Sequence, residues 1–373
     1  MPLLRKLLLR LTILVLFLVA LYCYQTSNGG HWIVPNMRMQ NASLGNLTTT
    51  LTVTNYSIEI VQDNYLSSTA STLLHDWADY YNIWCIFTKV ASNSPMKRKF
   101  QIFVDSLLRL SSVNIAFHVI SDDESKSIAQ IVIRDVKVNT GKFIKFQVFY
   151  YDVHILATQL EDIVSVMSPH FSSKPGTYYS DALFFLSLGM HKIAPSHQKL
   201  AVMFDADTKF RRDVKDLFEE FNNFGKEALF GLAPELTPVY RHVLYLYRTK
   251  HPTTMFGEPR HKGGYPGYNS GMVLFNLERL RKSFEYKEIV TKNSVDTMTE
   301  KYHFKGHLGD QDFYTLLGME RPELIHTVDC GWNRQLCTWW RDRGYADIFA
   351  NYSECHSEIK LWHGNCNTPI PDD

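Results

Sequence analysis

The sequence predicts an α/β protein with a mostly parallel β-sheet flanked by helices. Apolar runs alternate with amphipathic stretches after about residue 83, which is typical of parallel strands covered by helices. A basic, apolar N-terminal segment predicts a membrane anchor, and a C-terminal cluster of cysteines predicts a disulfide-containing segment. We therefore divide the chain into a cytosolic tail and signal anchor at 1–24, a lumenal stem at 25–80 and a folded domain at 81–373.

The N-terminal segment has the charge pattern of a membrane anchor. Arg5, Lys6 and Arg10 precede an uncharged apolar run at 11–24, which places the basic end in the cytosol. The run is shorter than the ~20 residues of a membrane span, so a cleaved signal peptide is the alternative. We favour an uncleaved anchor because no Ala-x-Ala-like site follows Ala20. The sequence thus predicts a single-pass type II membrane protein.

Two further features predict that the rest of the chain lies in an oxidising lumen. N-x-S/T sequons occur in the Ser-, Thr- and Asn-rich stem and near the C-terminus, at Asn41, Asn46, Asn55 and Asn351. Four cysteines, with 6, 17 and 10 residues between them, favour two disulfides over a structural zinc site, which usually has short paired spacings: Cys330, Cys337, Cys355 and Cys366. All pairings stay open, and we favour Cys330 with Cys355 and Cys337 with Cys366.

The elements of the predicted sheet follow in order along the chain. Strands are expected where residues are apolar or alternate, at 83–89, 113–121, 143–152 and 199–207. Helices are expected where apolar residues recur at helical spacing, at 96–110, 124–136 and 178–193. The 39 Lys+Arg and 38 Asp+Glu residues nearly cancel, so no overall field favours nucleic acid as a partner.

An Asp-x-Asp pair ends the strand predicted at 199–207. Asp205 and Asp207 follow the apolar run KLAVMF, and ligands of open α/β sheets bind at the carboxyl ends of strands. Two carboxylates spaced in this way can bind one hard cation, which in turn can hold a diphosphate. The pattern fits a nucleotide-sugar glycosyltransferase or a phosphatase of the haloacid dehalogenase type, and a solvated turn is the third alternative.

Three later motifs favour the glycosyltransferase. Asn269, Ser270 and Gly271 are expected in a polar turn ahead of a strand, and His363 beside Gly364 near the C-terminus offers a metal-ligating nitrogen. The stretch HLGDQDF places Asp310, Gln311 and Asp312 at the start of a helix, where aspartates also serve as caps. A dehalogenase-type phosphatase needs another aspartate three or four residues after Asp310, but Phe313 and Tyr314 stand there.

Taken in order, the motifs F-T-K, D-A-D, N-S-G, G-D-Q-D and H-G-N resemble those of the retaining glycosyltransferases of family eight, which have the GT-A fold. The resemblance runs from about Ile83 to the end and makes 81–373 a catalytic glycosyltransferase domain. It is closest to members in the endoplasmic reticulum membrane that add α-1,3-linked xylose to xylose–glucose O-glycans on EGF-like repeats such as those of Notch. Another UDP-hexose transferase and an inactive glycan-binding relative are the alternatives.

The resemblance also implies the donor, the metal and the residues that hold them. The donor is UDP-xylose and the metal is Mn²⁺, with Mg²⁺ as the alternative; the implied metal ligands are Asp205, Asp207 and His363. The implied donor-binding residues are Phe87, Thr88, Lys89 and Ala206 at the nucleoside, Gly364 and Asn365 at the diphosphate, and Asn269, Ser270, Leu308 and Gln311 at the sugar. Two positions depart from the bacterial members, because Asp181 replaces an arginine and the terminal phosphate-binding lysine is missing.

Retention of configuration requires either a covalent intermediate or a front-face substitution. An amide is a poor nucleophile compared with a carboxylate, so Gln311 favours the front-face route, in which it positions and stabilises the sugar. Asp310 or Asp312 is the alternative nucleophile, and a structural cap is the expected role of Asp312. Gln311 and Asp310 are therefore the predicted catalytic residues.

Overall fold

The computed structural model describes residues 50–53, 56–59, 79–142, 144–173 and 182–372. The predicted cytosolic tail and anchor, most of the predicted stem and Asp181 lie outside these residues. Within the described ranges, no helix is both long and apolar enough to cross a membrane.

Strands and helices alternate along most of the chain, as predicted. The strands are β1 (Thr50–Val53), β2 (Tyr56–Glu59), β3 (Tyr80–Ile86), β4 (Asn114–Ser121), β5 (Phe146–Asp152), β6 (Leu200–Asp205), β7 (Thr208–Phe210), β8 (Phe230–Pro234), β9 (Tyr268–Asn276), β10 (Ile325–Thr327), β11 (Arg334–Gln335) and β12 (Leu361–His363). The α-helices are α1 (Pro95–Leu110), α2 (Asp123–Thr140), α3 (Val153–Gln159), α4 (Glu161–Phe171), α5 (Met190–Ile193), α6 (Val214–Glu219), α7 (Val239–Val243), α8 (Tyr245–Lys250), α9 (Leu277–Lys282), α10 (Phe284–Ile289), α11 (Lys292–Lys301), α12 (Asp310–Glu320) and α13 (Ala346–Ser353). Short 3₁₀ helices occur at Ala182–Gly189, Glu220–Asn223, Arg260–Lys262, Pro322–Leu324, Cys330–Asn333 and Arg341–Arg343.

A seven-stranded sheet in the order β10-β8-β9-β6-β3-β4-β5 forms the centre of the fold. Its neighbouring strands run parallel except at β9, which pairs antiparallel with both β6 and β8. The prediction of a mostly parallel sheet flanked by helices is therefore confirmed. Because β6 lies between β3 and β9, the residues that follow β6 emerge at the middle of the sheet's edge.

Both faces of this sheet are buried, which explains why its strands are apolar almost throughout. Along β3, Ile83 and Cys85 face one apolar cluster, whereas Trp84 faces the other. Helix α1 covers the first of these faces with Phe100 and Phe103, both of which are fully buried. Alternate residues of one strand thus support two cores, and these cores hold the ends of the strands in place.

Two sequence-based expectations are wrong in detail. Of the stretch expected to be one helix at 178–193, the described part is a 3₁₀ helix at Ala182–Gly189 followed by the single turn α5, and residues 178–181 lie outside the described ranges. A Cβ on Gly189 would lie 2.4 Å from the side chain of Leu160. Asn269, Ser270 and Gly271 lie inside β9 rather than in a turn before it. Asn269 pairs with Ala233 of β8, but the preceding pair joins Leu232 to Val273, so Ser270 and Gly271 lie at an irregularity in the ladder.

A second sheet, of three short strands in the order β11-β12-β7, joins the C-terminus to the residues after β6. Two disulfides fasten this region, Cys330–Cys355 and Cys337–Cys366. The favoured pairing is therefore confirmed. The alternative of a structural zinc site is wrong because the four sulfurs are bonded in two pairs.

We expect the Cys337→Ser/Cys366→Ser and Cys330→Ser/Cys355→Ser double variants to lose similar stability. The disulfides close loops of 29 and 25 residues, so each contributes about 3 to 4 kcal/mol to the free energy of unfolding by loop entropy. Urea unfolding of each double variant measures the loss. Alkylation of the native, unreduced wild type should label none of the four cysteines, and a labelled one contradicts the pairing.

Candidate active site

The Asp-x-Asp pair lies at the carboxyl end of the central strand, where the sequence predicts it. Asp205 is the last residue of β6 and its side chain is 58% exposed, whereas the Asp207 side chain is only 12% exposed. The hydroxyl of Thr208 donates a hydrogen bond to the Asp205 carbonyl (3.0 Å) and closes the turn between β6 and β7. The turn thus holds one carboxylate toward solvent and the other against the protein.

His363 reaches the two carboxylates because β12 pairs with β7. The register places His363 opposite Thr208, and its Nε2 lies 3.3 Å from Asp205 Oδ2 and 3.5 Å from Asp207 Oδ1. A Cβ on Gly271 would lie 2.1 Å from the imidazole ring, so the glycine of the N-S-G motif makes room for His363. The three predicted metal ligands therefore converge from distant parts of the chain.

The chemistry of these three side chains fits a divalent cation. Their candidate ligand atoms all lie within 4.8 Å of one another, and carboxylate oxygens with one imidazole nitrogen form a usual ligand set for such ions. Nδ1 of His363 lies 2.9 Å from Asn333 Oδ1, so Nδ1 carries the hydrogen and Nε2 faces the carboxylates. The arrangement suggests a divalent metal at Asp205, Asp207 and His363.

The pKa values show how strongly these groups interact. Burial alone would lower the pKa of His363, but its hydrogen bonds and charge interactions with Asp205 and Asp207 raise it to about 10. Burial alone would raise the pKa of Asp207, but His363 and Lys99 lower it. Each shift favours the charged form of a group that lies beside the opposite charge: His363 lies beside two carboxylates, and Asp207 lies beside His363 and Lys99.

Lys99 is a basic residue of this site that the sequence analysis missed. It extends from α1, is 9% exposed, and donates hydrogen bonds from Nζ to Asp207 Oδ2 (3.3 Å) and to the Gly364 carbonyl (2.7 Å). The one available signal was its position four residues before Phe103, beside the apolar face of a predicted helix. Lys99 therefore supplies positive charge directly beside Asp207 and Gly364.

The amide of Gln311 is held at both ends. Its Nε2 donates to Glu235 Oε2 (3.2 Å) and to Tyr240 Oη (3.2 Å), and its Oε1 accepts from the backbone N–H of Ser270 (3.3 Å). Glu235 also accepts from Asn269 Nδ2 (2.9 Å). Gln311, Ser270 and Asn269 are thus brought together as predicted, around a carboxylate that the sequence analysis missed because β8 was not recognised.

Asp310 and Asp312 have different surroundings. Asp310 accepts hydrogen bonds from the hydroxyls of Ser187 and Ser270, and burial raises its pKa to about 7. Asp312 is fully buried, and its Oδ2 accepts from the backbone N–H groups of His307 (2.6 Å) and Leu308 (2.7 Å). The expected structural role of Asp312 fits this contact, although the N-cap residue of α12 is Gly309.

The residues predicted to contact the nucleoside follow β3, which pairs with β6 so that Ile86 lies beside Asp205. The Phe87 side chain is buried, with its ring 4.2 Å from that of Phe100, so only the main chain of Phe87 faces the site. Thr88 is half-buried and Lys89 is exposed, with its N–H donating to Asp122 Oδ2 (2.6 Å).

The other residues predicted to bind the donor substrate have different surroundings. Ala206, which stands between the two aspartates in the sequence, is buried. Gly364 donates its N–H to the Asp207 carbonyl (2.8 Å). Leu308 is half-buried ahead of α12. Asn365 turns its Oδ1 toward the backbone N–H groups of Leu336 and Cys337, so this oxygen supports the disulfide region rather than the carboxylate cluster.

Comparisons with known proteins place the chain in a family. No protein-family model matches it. Mouse xyloside xylosyltransferase 1 is 44% identical over 297 residues, which are 79% of this chain and 75% of the relative, and the human protein matches over the same share. The chain belongs to the xyloside xylosyltransferase family. The crystal structure of the mouse xyloside xylosyltransferase 1 apo form superposes with a TM-score of 0.74 at 43% identity and covers 78% of this chain and 99% of that one.

Membership of the xyloside xylosyltransferase family confirms the resemblance noted in the sequence. The chain is an enzyme with an α/β glycosyltransferase fold, and the phosphatase alternative is wrong. A glycosyltransferase of this kind uses a UDP-sugar donor and a glycan acceptor, and the Asp-Asp-His cluster suggests that the donor binds with a divalent metal.

We expect Asp205→Asn, Asp207→Asn and His363→Ala each to lower the transfer rate by about 10²-fold or more, because a metal supplies several kcal/mol of charge stabilisation. The matched control is Asp135→Asn, since the Asp135 side chain lies on α2 and is 55% exposed. Rates with Mn²⁺ and with EDTA provide the measurement. Full activity of the wild type in EDTA contradicts a metal requirement.

We expect Lys99→Met to destabilise the metal-free protein by about 3 kcal/mol, because it leaves the buried Asp207 with less compensating charge. A cation at the cluster restores that charge, so Mn²⁺ should raise the melting temperature more in Lys99→Met than in the wild type. Lys97→Met, on the same helix, is the control. Equal shifts in all three proteins would show that Lys99 does not compensate Asp207.

Proposed function

We propose that this xyloside xylosyltransferase family member transfers xylose from UDP-xylose to the xylose of a xylose–glucose glycan, with an α-1,3 linkage and retention of configuration. The observation that carries the proposal is the cluster of Asp205, Asp207 and His363 at the end of the central strand, in a chain 44% identical to the mouse and human relatives. The acceptor is proposed to be an EGF-like repeat, such as those of Notch, that carries this glycan.

Asp205, Asp207 and His363 are proposed to hold Mn²⁺, with Mg²⁺ as the alternative. When bound, the ion would neutralise the negative charge that builds on the UDP leaving group. Lys99 donates hydrogen bonds to Asp207 and to the Gly364 carbonyl and so adds positive charge beside the proposed metal site. The chain's own charges therefore favour departure of UDP.

Gln311 is proposed to position the transferred sugar in a front-face substitution. Its amide is held by Glu235, Tyr240 and the backbone of Ser270, and an amide does not readily form a covalent sugar adduct. Asp310 accepts hydrogen bonds from the hydroxyls of Ser187 and Ser270, which stabilise its carboxylate and so lower its reactivity as a nucleophile. Both observations favour the front-face route over a covalent intermediate.

The choice of xylose is proposed to depend on the segment before α12. A pentose lacks the exocyclic hydroxymethyl group of a hexose, so a wall at that place excludes UDP-glucose by shape. His307 and Leu308 are half-buried, and both backbone N–H groups are held by Asp312, which keeps this wall rigid. Overlap with a packed wall costs more than the ~1 to 3 kcal/mol that one methylene contributes to selectivity.

The enzyme is proposed to be a single-pass type II protein of the endoplasmic reticulum membrane with its catalytic domain in the lumen. Two disulfides support an oxidising compartment, and the sequons and the basic, apolar N-terminal segment support the lumenal orientation. A mass shift on deglycosylation and protease protection in microsomes test this assignment.

We expect the full-length protein, given UDP-xylose and a xylose–glucose acceptor, to form α-linked xylose and to use UDP-glucose poorly. The test is a panel of nucleotide sugars with and without Mn²⁺, followed by NMR of the anomeric proton of the product. Leu308→Ala and His307→Ala should raise the rate with UDP-glucose relative to UDP-xylose, by roughly the 10- to 200-fold range of a small steric change. Leu110→Ala, at an exposed site on α1, is the control.

Two results would contradict the separate parts of this proposal. A β linkage would refute retention. Equal use of UDP-glucose and UDP-xylose by the wild type would refute exclusion by the His307–Leu308 wall and leave the stereochemistry untouched.

A further inference from the structure

A chain of buried hydrogen bonds joins the metal ligand His363 to the predicted catalytic amide of Gln311. His363 Nδ1 contacts Asn333 Oδ1 (2.9 Å), and Asn333 Nδ2 donates to Asn269 Oδ1 (2.9 Å). Asn269 Nδ2 and Gln311 Nε2 then both donate to Glu235 Oε2, at 2.9 and 3.2 Å. We call these five residues the orienting network: Glu235, Asn269, Gln311, Asn333 and His363.

Glu235 differs from the other members because a carboxylate only accepts hydrogen bonds. Each amide can turn over and exchange its oxygen with its nitrogen, and the imidazole can carry its hydrogen on either nitrogen. Glu235 is 3% exposed, and both the hydroxyl and the backbone N–H of Thr237 also donate to it. Donors therefore surround this carboxylate, and Asn269 and Gln311 must direct their nitrogens toward it.

The orientation of each side chain on Glu235 determines that of the next one, toward His363 in one direction and toward Ser270 in the other. With its nitrogen on Glu235, Asn269 presents its oxygen to Asn333, so Asn333 presents its own oxygen to His363 Nδ1. Nδ1 must then carry a hydrogen, which leaves Nε2 facing the two aspartates. In the other direction, Gln311 directs its oxygen toward Ser270.

The main chain around Glu235 is itself fixed. Its N–H donates to the Gly267 carbonyl (3.0 Å), and Gln335 contacts both neighbours, accepting from the N–H of Leu236 (2.8 Å) and donating to the Pro234 carbonyl (2.9 Å). Gln335 pairs with His363 in the β11–β12 ladder. Gln335 therefore holds both the main chain around Glu235 and the strand that carries His363.

We propose that Glu235 is a positioning residue that orients both His363 for metal binding and Gln311 for its contact with the donor sugar. The inference rests on the proposed function for the role of Gln311, but its effect on the metal site does not depend on transfer activity. Because the backbone N–H of Thr237 cannot turn over, Glu235→Gln would direct its oxygen toward Thr237 and its NH₂ group toward Asn269 and Gln311, and would turn over at least one of these two amides.

Binding of Mn²⁺ alone tests the proposal, by electron paramagnetic resonance titration of the full-length protein. Glu235→Gln should weaken Mn²⁺ binding by about 10- to 100-fold, the range found when partners of metal ligands are changed, and should also lower kcat at saturating Mn²⁺. Asn333→Ala removes the links to His363 and to Asn269 but leaves Glu235 bonded to Asn269 and Gln311, so it should weaken Mn²⁺ binding by a similar factor and largely preserve kcat at saturating Mn²⁺.

Glu258→Gln is the matched control, because Glu258 is a mostly buried carboxylate held by Arg241 and Arg248, which are not in the network. It should lose stability without a change in Mn²⁺ affinity. Unchanged Mn²⁺ affinity in Asn333→Ala overturns the proposal, and so does an affinity loss in Glu258→Gln equal to that in Glu235→Gln. If Glu235→Gln does not fold, the Mn²⁺ titration of Asn333→Ala alone decides the part of the proposal that concerns metal binding.

Discussion

The pairing of β12 with β7 is the contact on which the site depends. It joins the C-terminal segment to the residues after the central strand and places His363 opposite Thr208, within 3.5 Å of both aspartates. The backbone of His363 is thereby held by the ladder of hydrogen bonds between the two strands, and not by side-chain contacts alone. Short strands are weak by themselves, and here the Cys337–Cys366 disulfide and the bonds of Lys99 to Asp207 and Gly364 hold the same junction.

The second constraint is the burial of many polar groups around this junction. A buried polar group costs free energy unless it is hydrogen-bonded, and the site meets this condition with matched partners. Asp312 accepts from two backbone N–H groups and from Tyr240, and Glu235 accepts from two amides. Such a network is rigid because each group has one arrangement that satisfies its neighbours. Rigidity of this kind keeps each side chain of the site in one orientation.

Sequence reasoning was most successful where chemistry and local pattern coincide. The motif residues Asp205, Asp207, Asn269, Ser270, Gln311 and His363 were identified by type and order, and the structure brings them together. It was least successful for supporting residues. Lys99 resembles any surface lysine of an amphipathic helix, and Glu235 follows a strand that a proline-containing run of five residues did not reveal. Asn269 to Gly271 were expected in a turn before the strand because polar residues were taken to lie outside it.

The sequence by itself determined the fold class, the strands β3 to β6 and the residue types of the Asp-Asp-His cluster. These features depend on local periodicity and on side-chain chemistry, which can be read along the chain. Only the tertiary structure decided that Lys99 compensates Asp207, that the ring of Phe87 is buried, and that Glu235 lies between Asn269 and Gln311. These contacts join residues up to 108 positions apart, and they exist because strand pairing and burial on both faces of the sheet bring their backbones together.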